Sequence, residues 1–166
     1  RSGLAMSQRV EGSEYRPIEL GRSLHFCMEF RREAHLLSYG NLETYDEGEV
    51  VDWFRRNSEQ NSQGFKHIYV AGELAGQLEF RAPITELGIR FGYIYLIYLK
   101  EAFRGKSIAS AAQKHMFDVF ISAGCREARL RCIPGNQIAE AFYRKHGWVE
   151  SGVACSRGQL LVRQLM

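Results

Sequence analysis

The sequence predicts a single mixed α/β domain, a central sheet of about six or seven strands flanked by about four helices. Three observations lead there. A nearly unbroken apolar segment, Tyr93–Leu99, is followed by a short basic turn and then by an amphipathic stretch from Ile108 to about Ala123. That is the strand, turn and helix of a βαβ unit, whose crossover should be right-handed. Segments of helical and of alternating periodicity also succeed one another with no internal repeat and no linker. Finally, a chain of 166 residues, 45% apolar and 25% charged, has the size and composition of one domain that buries a substantial core.

The elements follow in order. Tyr15 to Leu20 opens the sheet as a short strand. From Arg22 to about Leu37 apolar residues recur near helical spacing, and Tyr39-Gly40 ends that helix. A second helix is expected from Asp46 to about Glu59, with Asp46 as N-cap and Glu47 and Glu49 in a first turn that favours acids. The polar stretch Asn57 to Gly64 reads as a loop. His67–Ala71 and Leu74–Arg81 read as strands around the Gly72-Glu73 turn. In the second of these, Leu78 and Phe80 take one face and Gln77, Glu79 and Arg81 a polar face. Pro83 to Gly92 is expected to be a connection, with a strand start around Ile89–Phe91. Tyr93–Leu99 lacks alternation, which suggests burial on both faces at the centre of the sheet. After the long helix, closed by Gly124, Glu127–Ile133 alternates as a strand. A short helix spans about Gln137 to His146, closed by Gly147, and Trp148–Ala154 pairs with Gln159–Leu165 as a final hairpin.

Bulk properties narrow the function. A net charge of +3 without a long Lys/Arg run suits an anionic ligand, but no groove-reading or base-stacking motif accompanies it, and nucleic acid is not expected as a partner. Four widely spaced cysteines without a Cys-x-x-Cys pair argue against a metal or redox site and fit reduced thiols in a cytoplasmic protein. No apolar run is long enough to span a membrane. Arg1–Ala5, ahead of Met6, reads as a remnant of expression and not as a targeting peptide.

The turn itself is Arg104-Gly105-Lys106-Ser107-Ile108-Ala109. Between a buried strand and a helix it makes an anion trap, because the free N–H groups of the first helical turn and the positive dipole end face it. Gly105-Lys106-Ser107 echoes the end of a P-loop, but the first glycine of that motif would stand at residue 100, which is Lys. A triphosphate site is excluded. Further on the chain reads Asn136-Gln137-Ile138-Ala139-Glu140-Ala141-Phe142-Tyr143, then Gly147-Trp148. Asn136 and Tyr143 are seven residues apart, about two helical turns, and share one side.

Together the two segments resemble the GCN5-related N-acetyltransferase (GNAT) family. Arg104 to Ala109 is similar to its pyrophosphate loop, Arg/Gln-x-x-Gly-x-Gly/Ala, with Ser107 in place of the usual glycine. Asn136, Ala139, Phe142 and Tyr143 match its Asn-x-x-Ala-x-x-Phe-Tyr pattern. The resemblance implies a GNAT-type fold in which acetyl-CoA, as co-substrate, lies in a cleft between splayed strands, and transfer of the acetyl group to a primary amine. It places the pantetheine arm on the main chain of Ile97, Tyr98 and Leu99, with an oxyanion donor near Leu99. The phosphates fall on Arg104, Gly105, Lys106, Ser107, Ile108 and Ala109, with Lys145 in reach. Asn136 would contact the pantetheine, and Tyr143 would protonate the departing thiolate, a task that suits a phenol of pKa near 10.

Some family members carry a catalytic Glu on the strand before the loop, where this chain has Tyr93 and Tyr95. Glu79, on the preceding strand, is the substitute expected for the general base, against the alternative of an exposed Glu paired with Arg81. Glu29 and Glu33 on the first helix could line the way in for a cationic acceptor. The acceptor is unspecified: a small amine, an antibiotic, an amino acid or a protein amino group. The Ser107 departure and the absence of an acid at Tyr93 and Tyr95 also leave open a non-catalytic CoA-binding sensor or partner-binding module. The final hairpin is compatible with a homodimer.

Overall fold

The computed structural model describes residues 12–165; the Arg1–Ala5 segment lies outside them. The chain forms β1 (Ser13–Pro17), α1 (Leu20–Tyr39), α2 (Glu47–Gln60), β2 (Phe65–Val70), β3 (Glu73–Glu86), β4 (Ile89–Leu99), α3 (Ile108–Ser122), β5 (Glu127–Cys132), α4 (Gln137–Lys145), β6 (Val149–Cys155) and β7 (Gly158–Gln164). Seven strands make one sheet in the order β1-β2-β3-β4-β5-β7-β6. Only β4 and β5 run parallel; the remaining pairs are antiparallel.

The helix signals act as their chemistry requires. Gly40 adopts a left-handed conformation (φ 79) and returns its N–H to Leu36 O, ending α1. The Asp46 carboxylate accepts from Glu49 N and caps α2. Two cores result, one on each face of the sheet. Ala112, Met116 and Phe120 of α3 pack with Ile94, Leu130 and Trp148 on one side. On the other, Cys27, Phe54 and Phe65 form one cluster and Phe30, Leu96 and Tyr98 another. Gly92 marks the closest approach: a Cβ there would sit 2.3 Å from the Phe120 ring, so the helix can lie against the strand only because the side chain is absent.

Two sequence expectations are corrected. The Pro83–Gly92 connection is mostly strand. β3 runs through Pro83 to Glu86, and the turn consists of Leu87 and Gly88, both with positive φ (51 and 78), the geometry of a tight two-residue hairpin. Pro83 is accommodated because the ladder shifts register between Arg81 and Ile84, where no N–H is needed. Two of the three residues on the supposed polar face of β3 are also buried, Gln77 0% and Glu79 1% exposed, while Arg81 is exposed. The missing alternation of Tyr93–Leu99 has a second cause besides burial. The β3–β4 register shifts where Glu79 pairs Leu96 and Phe80 pairs Ile94, so Tyr95 is a bulge residue that re-aims the strand.

Candidate active site

The site begins with a failure of pairing. The parallel β4–β5 ladder extends only from Phe91↔Glu127 to Ile94↔Leu130, although β4 continues to Leu99 and β5 to Cys132. Beyond Ile94 the strands part, opening a cavity of about 360 Å³, at the lower end of small-molecule clefts. One wall is a strand edge without a partner strand. Lys100 donates its N–H to Ala75 O at 2.8 Å, on the β3 side. By alternation along an extended strand, the main-chain groups of Leu99 and Ile97 therefore turn toward the cleft. An extended chain bearing amides can complete that edge as a strand would.

At the upper end of the cleft lies the basic turn. Gly105 and Ser107 both have positive φ (74 and 66). Ser107 is the N-cap residue of α3 yet makes no side-chain cap, leaving the first-turn N–H groups open to an anion. Arg104 is held in place: its Nε donates to Leu99 O at 2.9 Å and its guanidinium lies 5.7 Å from the Tyr98 ring centre. Of the turn residues assigned from the sequence, Arg104, Gly105 and Ala109 line the cleft together with Ile97, Tyr98 and Leu99. Lys106 is exposed beside it, and Ile108 is buried in the core, so only its main chain is available to a ligand.

The far wall is α4. Asn136 lines the cleft and also accepts from Ala139 N, capping the helix. Tyr143 lines it as well, with its ring edge-on to Trp148 at 5.7 Å. Burial raises its pKa above the ordinary phenol value, with Cys132 adding to the effect. The phenol therefore keeps its proton across the physiological range, the state in which it can donate. Lys145 is exposed on the last turn of α4 and does not line the cleft; there it complements the helix dipole.

Residues 24–148 match the model described as the acetyltransferase (GNAT) family. The chain belongs to this family.

Solved acetyltransferase structures and others agree in fold. The PaiA N-acetyltransferase of Thermoplasma acidophilum, determined in complex with coenzyme A, superposes with a TM-score of 0.66 at 18% identity, covering 92% of this chain and 98% of that one. An acetyltransferase from Thermus thermophilus gives 0.69 at 15% identity, covering 94% and 99%. Naa20 of Chaetomium thermophilum, in complex with a bisubstrate analogue, gives 0.70 at 12% identity, covering 91% and 86%. At these identities the likeness is one of fold. No protein of curated function matches the chain in sequence.

Within this GNAT fold the expected base occupies an unexpected place. Glu79 does not line the cleft, and its partner is Arg31, not Arg81. Its Oε1 accepts from Arg31 Nη2 at 2.6 Å and from Trp53 Nε1 at 2.8 Å, and its Oε2 accepts from Gln77 Nε2 at 2.8 Å. Gln77 Oε1 in turn lies 2.9 Å from His67 Nε2. Because the Gln77 amide nitrogen is committed to Glu79, its oxygen must accept, which places the His67 proton on Nε2. Burial lowers the His67 pKa, and Cys27, whose thiol burial pushes up to about 12, stands next in line at 3.8 Å. Sequence reasoning missed Arg31, Trp53 and His67 because they come from α1, α2 and β2 and share no motif; a Gln-x-Glu pair on a strand was the one visible trace. Among the described residues no helix is long and apolar enough to cross a membrane, and no group of three His, Cys, Asp or Glu side chains could hold a metal ion.

Proposed function

We propose that the protein transfers the acetyl group of acetyl-CoA to a primary amine. The observation that carries this reading is the open edge of β4 at Ile97 and Leu99 facing Tyr143 of α4 across a cleft that ends in an uncapped helix N-terminus. The co-substrate supplies an acyl group activated as a thioester. The edge of β4 binds its amides, the Gly105–Ala109 turn and Arg104 take its phosphates, and Asn136 borders the arm between them. Main-chain N–H groups of β4 would stabilise charge on the thioester oxygen. As the N–C bond forms and the C–S bond breaks, Tyr143 Oη gives its proton to the departing sulfur.

Glu79 is assigned a positioning role in place of base catalysis. Both its oxygens are engaged and it lies outside the cleft, so the amine's proton leaves to water, and Tyr143 Oη takes a proton back from water to close the cycle. What Glu79 does is bind α1 through Arg31 and α2 through Trp53 to the sheet, fixing the walls on the acceptor side.

Release of free CoA thiol, followed with an amine panel, tests the proposal. Tyr143→Phe should lower turnover by about 100-fold or more while leaving the acetyl-CoA dissociation constant within about twofold. Equal turnover would remove Tyr143 from the chemistry. Acetyl-CoA binding without turnover of any amine would favour the sensor reading.

A further inference from the structure

Resting on the acetyltransferase reading, we infer that the acceptor is a small primary amine that also carries an anionic group, a carboxylate or a phosphate, and that Arg131 receives that group. The cleft has two faces. Leu130 and Cys132 of β5 pack into the core beneath α3, so Arg131 between them projects to the face covered by α1 and α2. There the cleft is lined by Arg131, Tyr95, and Leu37 and Ser38 from the end of α1. Trp53 of α2 packs edge-on to Tyr95 at 4.8 Å, and Tyr95 lies 4.9 Å from Tyr93. An amine attacking a thioester held between β4 and α4 approaches across this aromatic floor.

The charges on that floor decide its ligand. Among the described residues, the charged ones lining the cleft are Arg104 and Arg131, with no Asp or Glu. Arg104 belongs to the phosphate turn. Arg131 makes no ion pair among the described residues; its Nη1 donates to Gly158 O at 3.0 Å and points toward Cys155 Sγ at 3.5 Å. Arg157, on the β6–β7 turn, joins it near the Tyr93 phenol, which both guanidiniums act to acidify against the larger effect of burial. Glu79 of β3, whose carboxylate faces α1 and α2, is closed off by Arg31, Trp53 and Gln77. Burial raises the Tyr98 pKa and Glu33 and Glu29 add to it, but these two exposed residues of α1, expected to guide a cationic acceptor, are not among those lining the cleft. Within the lining formed by the described residues, a polycation would thus meet two arginines and no carboxylate. An amine with an anionic group finds a half-buried, forked donor of opposite charge.

Matched acceptors test this: phenylalanine against phenethylamine, and phosphoethanolamine against ethanolamine, with spermidine as the polycation. Acetyl-CoA binding is measured separately by calorimetry, so that loss of the co-substrate reading is seen on its own. In at least one pair the anionic member should be acetylated with kcat/KM about 10- to 100-fold higher, and the pair in which this occurs tells carboxylate from phosphate. Arg131→Met should bring that ratio close to one. Arg157→Gln, in an exposed turn where folding is not at risk, should reduce it in part. Equal or better use of the neutral-tailed amines, preference for spermidine, or no turnover and no binding of either anionic amine to the CoA-loaded protein would overturn the inference.

Discussion

Replacing Glu79 with Gln separates a positioning role from a catalytic one. The side chain is 1% exposed and its Oε1 accepts from both Arg31 and Trp53. Gln at this position can keep both bonds with its oxygen, and its new amide can donate to Gln77 if the Gln77 amide reverses. Gln77 then donates to His67, whose proton must move to Nδ1. The hydrogen bonds survive, and the net loss is the charge opposite Arg31. Removing one partner of a fully buried pair costs about 3–5 kcal/mol, but Arg31 retains 26% exposure, and water screens part of that loss. We therefore expect about 2 kcal/mol of destabilisation, or a Tm lower by about 4–8 °C for a domain of this size. Glu79→Ala, which also leaves donors unmet and a cavity, should cost about twice as much. Urea and thermal unfolding give the stability, and CoA release at a temperature where both variants are folded gives the activity. A loss below about 0.5 kcal/mol would show that the network does not hold α1 and α2. A Glu79→Gln variant of unchanged stability with turnover down about 1000-fold would restore the base assignment.

Three further outcomes are expected. Ser107→Gly relieves a left-handed conformation at φ 66, and should leave stability within about 1 kcal/mol while tightening acetyl-CoA binding, read by calorimetry; weaker binding would mean the serine hydroxyl holds a phosphate. Gly92→Ala drives a Cβ into the Phe120 ring and should destabilise by about 1–3 kcal/mol in urea; a neutral result would mean α3 can move off the sheet. Burial lowers the His67 pKa, and those of His35 and His115, below 6.5. The unfolded chain then binds protons that the folded one refuses, so stability present above about pH 6.5 is lost as the pH falls toward the folded values. His67→Gln should show a shallower decline between about pH 7 and 5, and an unchanged slope would place the effect on the other two.

How much of this was legible in the sequence follows the range over which each signal acts. Caps and turns are local: Asp46, Gly40 and the Arg104–Ala109 turn stand where their neighbours in sequence place them. The β4 segment was legible as central, but its bulge at Tyr95 was not, since a bulge is a mismatch between two strands and leaves no periodic mark on one. Pro83 read as a break because its missing N–H is costly in a regular ladder; the register shift beside it removes that cost. Alternation on β3 correctly put Gln77 and Glu79 on one face, yet polarity suggested water where the fold supplies Arg31, Trp53 and His67. Those partners lie up to 48 residues away, beyond the reach of any spacing rule. Arg131 escaped notice for the same reason, as its meaning depends on where β4 and β5 part.

The central claim is that the splayed β4–β5 cleft binds acetyl-CoA, and thermal unfolding under titration addresses it most directly. At about a hundredfold over its dissociation constant, acetyl-CoA should add about 2.7 kcal/mol of stability. For a domain of this size that raises the Tm by about 5–10 °C, with no comparable rise for a nucleoside triphosphate. No shift at millimolar acetyl-CoA, or an equal shift with the triphosphate, would contradict the claim.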